Sequence, residues 1–308
     1  VSAAYALDRR QFGQAIANFG LIQKKFALGA AEFFAAESMI YRTGDLIDAA
    51  FDASDGTPDG NRKAAEEYAV ECSACKVFST EAEAWIVDEC LQVFGGYGFT
   101  EEFPIARIYR DARISRIYEG TNEINRLLIP GMLMKKALKG ELPLLGAAKA
   151  LQDELLSPPA MAEEDDSLLA AETRAVDALK KAALMVFGLA LQTYGQKLTD
   201  QQEVLTFLAD ICGDVYSAES AVLRARASAA SGQTRATLHA DAARVFVNDA
   251  VARVETNTRQ ALAAMTEGDT LRTMLAGARR LFKWTPIDTV TLRRRLADEA
   301  VQRRGYPL

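Results

Sequence analysis

Three short segments combine glycine, charged and aromatic residues in a way that core packing alone does not require. The first covers residues 5–13 and reads YALDRRQFG. Its two adjacent arginines could bind a pyrophosphate through their forked guanidinium groups, and its phenylalanine ring could pack on a flat cofactor. The alternative is a solvated helix end that the glycine terminates. The segment therefore gains meaning only beside the other two.

The second segment, residues 92–99, reads QVFGGYGF and resembles a glycine-rich phosphate loop. A dinucleotide-binding loop follows a strand, whereas the pattern before this segment is helical. Its glycines could terminate the preceding helix, or they could let the backbone approach a ligand closely. Both interpretations stay open on the local sequence.

The third segment, residues 117–124, reads IYEGTNEI and holds a candidate general base. Glu119 has apolar neighbours and directly precedes Gly120 and a predicted helix start at Thr121. An apolar environment raises the pKa of a carboxylate and makes it a better base, while a following glycine leaves room for a ligand. The alternative is that Glu119 caps the helix that follows.

Two further groups are interpreted as structural. Cys72 and Cys75 form a C-x-x-C pair, but no second pair or histidine follows at zinc-binding spacing, so no metal site is predicted. The surrounding pattern is helical, and small buried helix residues are the preferred interpretation. Four cysteines in so long a chain indicate a reducing environment. His239 is predicted to be a satisfied helix residue, and a single histidine in the chain argues against histidine-rich metal sites and Ser–His–Asp hydrolysis.

Arginines also recur at every third position of one short segment, at Arg107, Arg110, Arg113 and Arg116. They could form a phosphate-binding edge. The preferred interpretation is ion pairing with nearby carboxylates, namely Glu101, Glu102 and Asp111.

Length and composition place limits on the architecture. The 308 residues are about twice the ~150-residue size typical of one domain, so one large or two ordinary domains are expected. The formal net charge of −6 makes a general nucleic-acid binder a poor candidate, because phosphates need a basic surface. No apolar run is long enough to predict a membrane-spanning helix.

Helical periodicity dominates the first part of the chain. One apolar stripe is formed by Ile22, Phe26, Phe33, Ile40, Ile47 and Phe51. A loop is predicted over 52–61, followed by a long helix over 62–94 that ends at Gly95 and Gly96. Thr100 is predicted to cap a short helix around 105–109, and a further helix is predicted from 121 to 138.

Composition changes between residues 140 and 167, where several prolines and the acidic run 163–166 occur. This stretch predicts an irregular linker over 143–166 that separates two domains, 1–142 and 167–308. The second domain is again helical, and one of its stripes is Val204, Leu208, Ile211, Val215, Ala218 and Val222. The predicted fold class is all-α, with two helical bundles.

Taken together, the three segments resemble the C-terminal helical domain of the acyl-CoA dehydrogenases. The shared pattern is R-x-Q-F-G, then Q-x-F-G-G-x-G-F, then R-D-x-R-I-x-R-I-Y-E-G-T-N-E-I. Most family members end near residue 138. The very-long-chain branch carries an extra helical domain, and the stretches 19–23, 88–92 and 208–210 of this chain also look like that branch. The resemblance thus spans essentially the whole chain.

The resemblance implies an FAD-dependent enzyme that converts a long-chain acyl-CoA to a trans-2-enoyl-CoA. Glu119 matches the base that removes the α-proton, and Tyr118 and Gly120 match residues at the substrate. The positions that match FAD contacts are Arg9, Gln11, Phe12, Gln92, Val93, Gly95, Gly96, Thr121 and Glu123. The resemblance further implies a homodimer that shares its flavin across subunits, with electron-transfer flavoprotein as acceptor.

It also implies two domains upstream of Val1 that carry most of the flavin ring and the acyl pocket. Residues 1–308 alone are therefore expected to be inactive. The location is expected to be cytoplasmic in a bacterium or mitochondrial in a eukaryote, soluble or peripheral. Membrane contact through the connection is not favoured, because that stretch is acidic. The alternative function is a non-catalytic interaction or assembly module of the same family.

Overall fold

The computed structural model describes residues 1–157 and 165–308, and these are almost entirely helical. The all-α prediction is confirmed. Within the described residues, strand occurs only as a two-stranded hairpin of β1 (Arg10–Gln11) and β2 (Gln14–Ala15). Its first strand begins just after α1 (Ser2–Asp8).

The first part of the chain is organised around α2 (Gly20–Asp52), which packs against helices from both parts of the chain. The helix is confirmed, but the predicted apolar stripe is not its buried face, because Phe33, Ile40 and Phe51 are exposed. The buried face consists mainly of small residues around one large ring, Phe34. Alanines let neighbouring helices approach closely, and a pattern search for large apolar residues overlooks them.

The predicted long helix over 62–94 is two helices. The first, α3 (Pro58–Glu67), begins inside the predicted loop, because Thr57 caps it by accepting a hydrogen bond from the Gly60 N–H over 3.0 Å. Proline in the first turn suits that start. The chain kinks at Tyr68 and continues as α4 (Ala69–Phe94), which ends at Gly95 as predicted.

The prediction for Thr100 is wrong. Thr100 follows a single turn, α5 (Gly96–Phe99), and its hydroxyl donates to the Tyr97 carbonyl over 3.1 Å. The short helix predicted around 105–109 begins at proline instead, as α6 (Pro104–Arg113). It is followed by a 3₁₀ turn (Ile114–Arg116) and by α7 (Asn122–Leu138).

The stretch 143–166 is not an irregular connection throughout, since it contains α8 (Leu144–Leu156). Pro158, Pro159, Glu163 and Glu164 of that prediction lie outside the described residues. Beyond them come α9 (Ala170–Tyr194), α10 (Gln202–Ala230), α11 (Ala236–Met265), α12 (Gly268–Leu281) and α13 (Thr289–Arg303). The stripe predicted on α10 is buried except for the partly exposed Val215.

One hydrophobic core joins the two predicted domains. It contains Ala27 and Phe34 of α2 together with Leu208 of α10, Val245 of α11 and Leu296 of α13. The appended helices therefore form part of the scaffold that holds α2 in place. None of the helices in the described ranges is long and apolar enough to cross a membrane.

His239 on α11 is a satisfied core histidine, as predicted. It is buried, its Nδ1 lies 2.8 Å from the Ser228 hydroxyl, and its ring packs against Phe34. Burial and the nearby arginines 224 and 235 lower the pKa of His239. The neutral ring is therefore favoured in the core.

Candidate active site

Glu119 lies in a turn between the 3₁₀ segment and α7, and the backbone of this turn is left-handed. Its φ is 56° and that of Gly120 is 78°. Left-handed backbone suits glycine, whereas for glutamate it costs energy that the surrounding structure must supply. Strain of this kind concentrates at functional sites, so the turn is consistent with a functional role for Glu119.

The helix cap next to Glu119 is a different residue. Thr121 precedes α7, and its hydroxyl oxygen accepts a hydrogen bond from the Ile124 N–H over 3.3 Å. The alternative interpretation, in which the Glu119 carboxylate caps this helix, is therefore wrong. The Glu119 side chain remains available for another role.

The apolar environment expected around Glu119 is not formed by the described residues. Glu119 is exposed, and the neighbouring Ile117 and Tyr118 are themselves about half exposed. These three side chains and Gly120 form one open surface. A ligand or a further protein surface is needed to shield the carboxylate from water.

Polar groups from α4 and α7 hold the carbonyl that follows this turn. The Lys76 ammonium donates to the Gly120 carbonyl over 2.8 Å and to Asn122 Oδ1 over 2.6 Å. Asn125 Nδ2 donates to the same Gly120 carbonyl over 2.9 Å. Two donors from two helices thus converge on one backbone oxygen beside Glu119.

A second layer lies below these contacts. Asn122 is only 2% exposed, and its Nδ2 donates to Glu81 Oε1 over 2.9 Å. Glu81 also accepts from Arg126 over 3.1 Å and from Arg116 over 3.2 Å. Partial burial opposes ionisation of Glu81, but these hydrogen bonds and charges prevail and lower its pKa. The carboxylate therefore stays charged and anchors the start of α7.

Lys76, Glu81 and Asn122 were not among the predicted site residues. Lys76 and Glu81 stand 44 and 39 positions before Gly120, on a helix of mixed polar and apolar sequence. The available signal is weak. Lys76 and Thr80 are one helical turn apart, so their side chains lie on the same face of α4, next to the buried Val77. Two polar side chains on a face that packs against another helix need a polar partner on that helix.

A separate cleft brings together six of the nine predicted cofactor contacts. Its volume is about 480 Å³, and its lining includes Arg9, Gln11, Gln92, Val93, Gly95 and Gly96. The first and second segments of the sequence therefore meet in space. Tyr97 also lines this cleft, and the Arg9 guanidinium lies over its ring at 5.5 Å from the centroid.

Glycine stands at three positions of the second segment for different structural reasons. Gly95 has a φ of 60° and ends α4, so its conformation calls for glycine. A Cβ on Gly98 would lie 2.6 Å from the Leu91 carbonyl oxygen, so packing calls for glycine there. Gly96 has neither restriction, since a Cβ would meet nothing within 4 Å. Its bare backbone faces the open cleft, where a side chain would take up space.

Three predicted cofactor contacts lie outside the lining of this cleft. Phe12 is 93% exposed and approaches the ring of Phe19 edge-on at 6.1 Å. Thr121 and Glu123 lie at the start of α7, next to the Glu119 turn. Hydrogen bonds from its own N–H and from the Thr121 hydroxyl lower the pKa of Glu123. The predicted set therefore divides between the cleft and the turn.

The arginine series is partly paired as predicted. Arg110 contacts Glu101 over 3.1 Å, whereas Arg116 contacts Glu81, a partner that the sequence did not indicate. Arg107 and Arg113 are exposed. Across the described ranges, no group of three or more histidine, cysteine or acidic side chains is arranged to hold a metal ion.

Two family models match the chain, and both are described as the C-terminal domain of acyl-CoA dehydrogenase. One matches residues 1–133 and the other residues 178–280. Together they include all three motif segments and most of the appended helices.

Individual relatives agree with these matches. A protein of Bacillus subtilis named "Probable acyl-CoA dehydrogenase" is 46% identical, over 99% of this chain and 52% of its own length. The very long-chain specific acyl-CoA dehydrogenase of Rattus norvegicus is 31% identical, over 74% of this chain and 35% of its own length. This chain spans about half the length of the first of these relatives.

A solved structure matches the whole chain. It is the crystal structure of an acyl-CoA dehydrogenase from Bacillus anthracis complexed with FAD. The TM-score is 0.94 and the identity 42%, over 100% of this chain and 53% of the other. The arrangement of the helices is therefore the same in both proteins.

Proposed function

This chain belongs to the acyl-CoA dehydrogenase family, and we propose that it supplies the catalytic base of an FAD-dependent enzyme. The reaction is the α,β-dehydrogenation of a long-chain acyl-CoA to a trans-2-enoyl-CoA. The observation that carries this proposal is the Glu119 turn, in which an exposed carboxylate stands on left-handed backbone that side chains of two helices hold.

Glu119 acts as the general base. Its carboxylate removes the α-proton of the thioester, so negative charge develops on the substrate as the C–H bond breaks. The Thr121 hydroxyl caps α7 separately, which leaves both Glu119 oxygens free of that task. Gly120 has no side chain beside the reacting carbon, and Tyr118 offers its half-exposed ring to the acyl group.

The cleft fits part of FAD. Arg9 offers a forked cation for a phosphate, Gln11 and Gln92 offer amide groups, and Gly96 keeps open a space that a Cβ would fill. When bound, FAD supplies the two-electron oxidation of the substrate's β-carbon. The residues of this chain bind and orient the cofactor and the substrate, and Glu119 holds the proton.

The second group of cofactor contacts suits a different part of the same molecule. Glu123 has a lowered pKa and is therefore an acceptor of hydrogen bonds, which matches a hydroxyl of FAD better than a phosphate. Thr121 lies beside it. The exposed Phe12 reaches outward from this chain, in keeping with a flavin shared between two subunits of a homodimer.

Two further assignments follow from the same family pattern. Shielding of Glu119 falls to the acyl chain and to protein surfaces beyond the described residues, because this chain leaves the carboxylate exposed. FAD bound here would need an electron acceptor after each turnover, and electron-transfer flavoprotein is the proposed acceptor.

The test uses the complete natural polypeptide that contains residues 1–308. The purified protein should be yellow, and palmitoyl-CoA should bleach its flavin absorbance. Glu119→Gln should retain the flavin but slow the bleaching, on the order of 10²- to 10⁴-fold, because a positioned base contributes about that factor. A colourless protein would contradict the proposed enzymatic function and would favour the alternative, a non-catalytic interaction or assembly module.

The same assay tests the proposed preference for long acyl chains. Acyl-CoA substrates from butyryl to palmitoyl should give bleaching rates that increase with length. A maximum at butyryl-CoA would contradict the long-chain assignment and leave the base assignment intact.

A further inference from the structure

Lys76 is placed unusually for a helix-surface lysine. It projects from α4, and its ammonium donates to two neutral oxygens on another segment, the Gly120 carbonyl and Asn122 Oδ1. Both acceptors follow Glu119 within three residues. The cation therefore lies at the backbone of the base turn.

We propose that Lys76 is a positioning residue for the base, and that its ammonium fixes the left-handed turn from which Glu119 reaches the substrate. This inference rests on the function proposed above. Lys76 acts through the Gly120 carbonyl and is not assigned any contact with substrate or cofactor.

The geometry explains why the turn needs such support. Glu119 and Gly120 are both left-handed, and glutamate reverts readily to extended or helical backbone when nothing prevents it. Rotation of the peptide after Gly120 would withdraw its carbonyl from Lys76 and from Asn125 together. The two bonds therefore disfavour the same motion, and they are lost together when the turn relaxes.

The residues that hold Asn122 in place form a connected hydrogen-bond network. Asn122 is buried and bonded to Glu81, which two arginines in turn hold. The Thr80 hydroxyl lies 3.0 Å from Asn122 Nδ2, one helical turn after Lys76. Because its partner Asn122 is fixed, Lys76 fastens a flexible carbonyl to an immobile frame.

Displacement of the base by even one ångström should slow proton removal more than it weakens substrate binding. Misplacement of that size costs up to about 100-fold in rate. Lys76→Met should therefore lower the rate of flavin reduction at saturating palmitoyl-CoA by roughly 10- to 100-fold. The KM for the substrate and the FAD content should change by less than about twofold, and Lys76→Arg should restore part of the rate.

Lys136 offers a matched control. Its ammonium also joins two elements by donating to a backbone carbonyl and a side chain, those of Glu67, over 2.9 and 2.7 Å. Lys136→Met should lower the melting temperature about as much as Lys76→Met does, but leave the rate of flavin reduction within about twofold of the parent. Equal rates for the two variants would overturn the proposal.

The experiment separates this inference from the proposed function. Normal flavin reduction in Glu119→Gln would overturn the base assignment, and this inference with it. A slow Glu119→Gln beside an unaffected Lys76→Met would overturn the positioning role alone. If Lys76→Met fails to fold, Lys76→Ala takes its place, because alanine removes the ammonium and suits a helix. It should slow reduction without a change in KM, and an unchanged rate would again overturn the proposal.

Discussion

Arg126 on α7 and Asp210 on α10 form an ion pair, with Arg126 Nε 2.7 Å from Asp210 Oδ1. The same guanidinium also contacts Glu81 of α4. Arg126 thus connects the frame beneath the proposed base to a helix of the appended part of the chain. Because the side chains are only 18% and 33% exposed, solvent screens the pair incompletely.

We expect this pair to contribute measurably to stability. A double-mutant cycle with Arg126→Met and Asp210→Asn should give a coupling free energy of about 1 kcal/mol in urea unfolding. The exposed pair Arg62–Glu66, with side chains 56% and 60% exposed, provides the control and should give a much smaller coupling free energy, because solvent screens it. If both cycles gave the same small value, α10 would not support α7 through this contact.

A second group of charges, which is partly buried, should make stability depend on pH. Glu32 of α2 lies 3.4 Å from Arg253 of α11, which is also bonded to the buried Asp214 of α10. Burial raises the pKa of Glu32 to about 7, although Arg253 opposes the shift, and the nearby Asp214 and Asp249 add to it. Native Glu32 therefore retains its proton at a pH where the unfolded chain has released it.

The sign follows from the raised pKa of Glu32. Below 4.5, the ordinary pKa of a glutamate, Glu32 is protonated in both the folded and the unfolded state, and above about 7 folding carries the full cost of the shift. The free energy of unfolding should thus fall as pH rises between these values. Glu32→Gln should remove up to about 3 kcal/mol of this loss, and urea unfolding at pH 4, 6 and 8 measures it. Glu83→Gln is the matched control at an exposed position of α4.

An equal pH dependence in Glu32→Gln and the parent would contradict the prediction. The buried His239 has a lowered pKa and acts in the opposite direction, since its stabilising effect is lost as the pH falls. A comparison of parent and variant at each pH removes that contribution, because both proteins keep His239.

Local signals were enough to predict much of this fold and site. Gly95 ends α4 because its φ is positive, and Thr121 begins α7 because its hydroxyl accepts from the third residue on. Both depend on residues within one turn, so the sequence alone carries them. The family resemblance implied cofactor contacts in two distant segments, and residues of both, such as Arg9 and Gly96, line the same cleft.

Contacts between distant segments were not predicted. Lys76 meets Gly120 only because α4 packs against α7, and no local pattern at either residue requires that packing. The buried face of α2 was missed for a related reason, since alanines such as Ala31 and Ala35 bury little area each and gain importance only when another helix approaches. The exposure of Glu119 also depends on surfaces beyond its own segment.

The cysteines allow a direct check of their predicted structural role. Burial raises the pKa of Cys75 to about 11 and that of Cys212 to about 12, which keeps these thiols protonated and slow to react. Burial raises the pKa of Cys90 as well. Cys72 is exposed, so the prediction that it is a buried helix residue is wrong, although partial desolvation and the charge of Glu71 raise its pKa. At pH 8, a disulfide reagent should modify one thiol quickly in the folded protein of residues 1–308. In urea, where the protein is unfolded, it should modify all four thiols.

Cys72→Ser provides the control for this assay. It should abolish the fast phase while leaving three thiols that react in urea. Fast modification of two thiols in the folded parent would contradict the assignment, because it would mean that Cys75, Cys90 or Cys212 is as accessible and reactive as Cys72.

The two glycines of α5 separate packing from cofactor approach. A Cβ at Gly98 would press against the Leu91 carbonyl oxygen at 2.6 Å, and a backbone atom cannot move aside cheaply. Gly98→Ala should therefore lower the free energy of unfolding by about 1–3 kcal/mol. Gly96→Ala meets no atom of the chain within 4 Å and should leave stability within about 0.5 kcal/mol of the parent.

For FAD binding, Gly96→Ala should have the larger effect of the two substitutions if FAD occupies the cleft. In the complete natural polypeptide, Gly96→Ala should weaken FAD retention at least several-fold, because the new methyl group would fill space between the backbone and the ligand. Titration of the apoprotein with FAD, followed by flavin fluorescence, measures this. Unchanged FAD affinity in a stable Gly96→Ala protein would mean that the cofactor does not approach α5, and it would leave the packing argument for Gly98 unaffected.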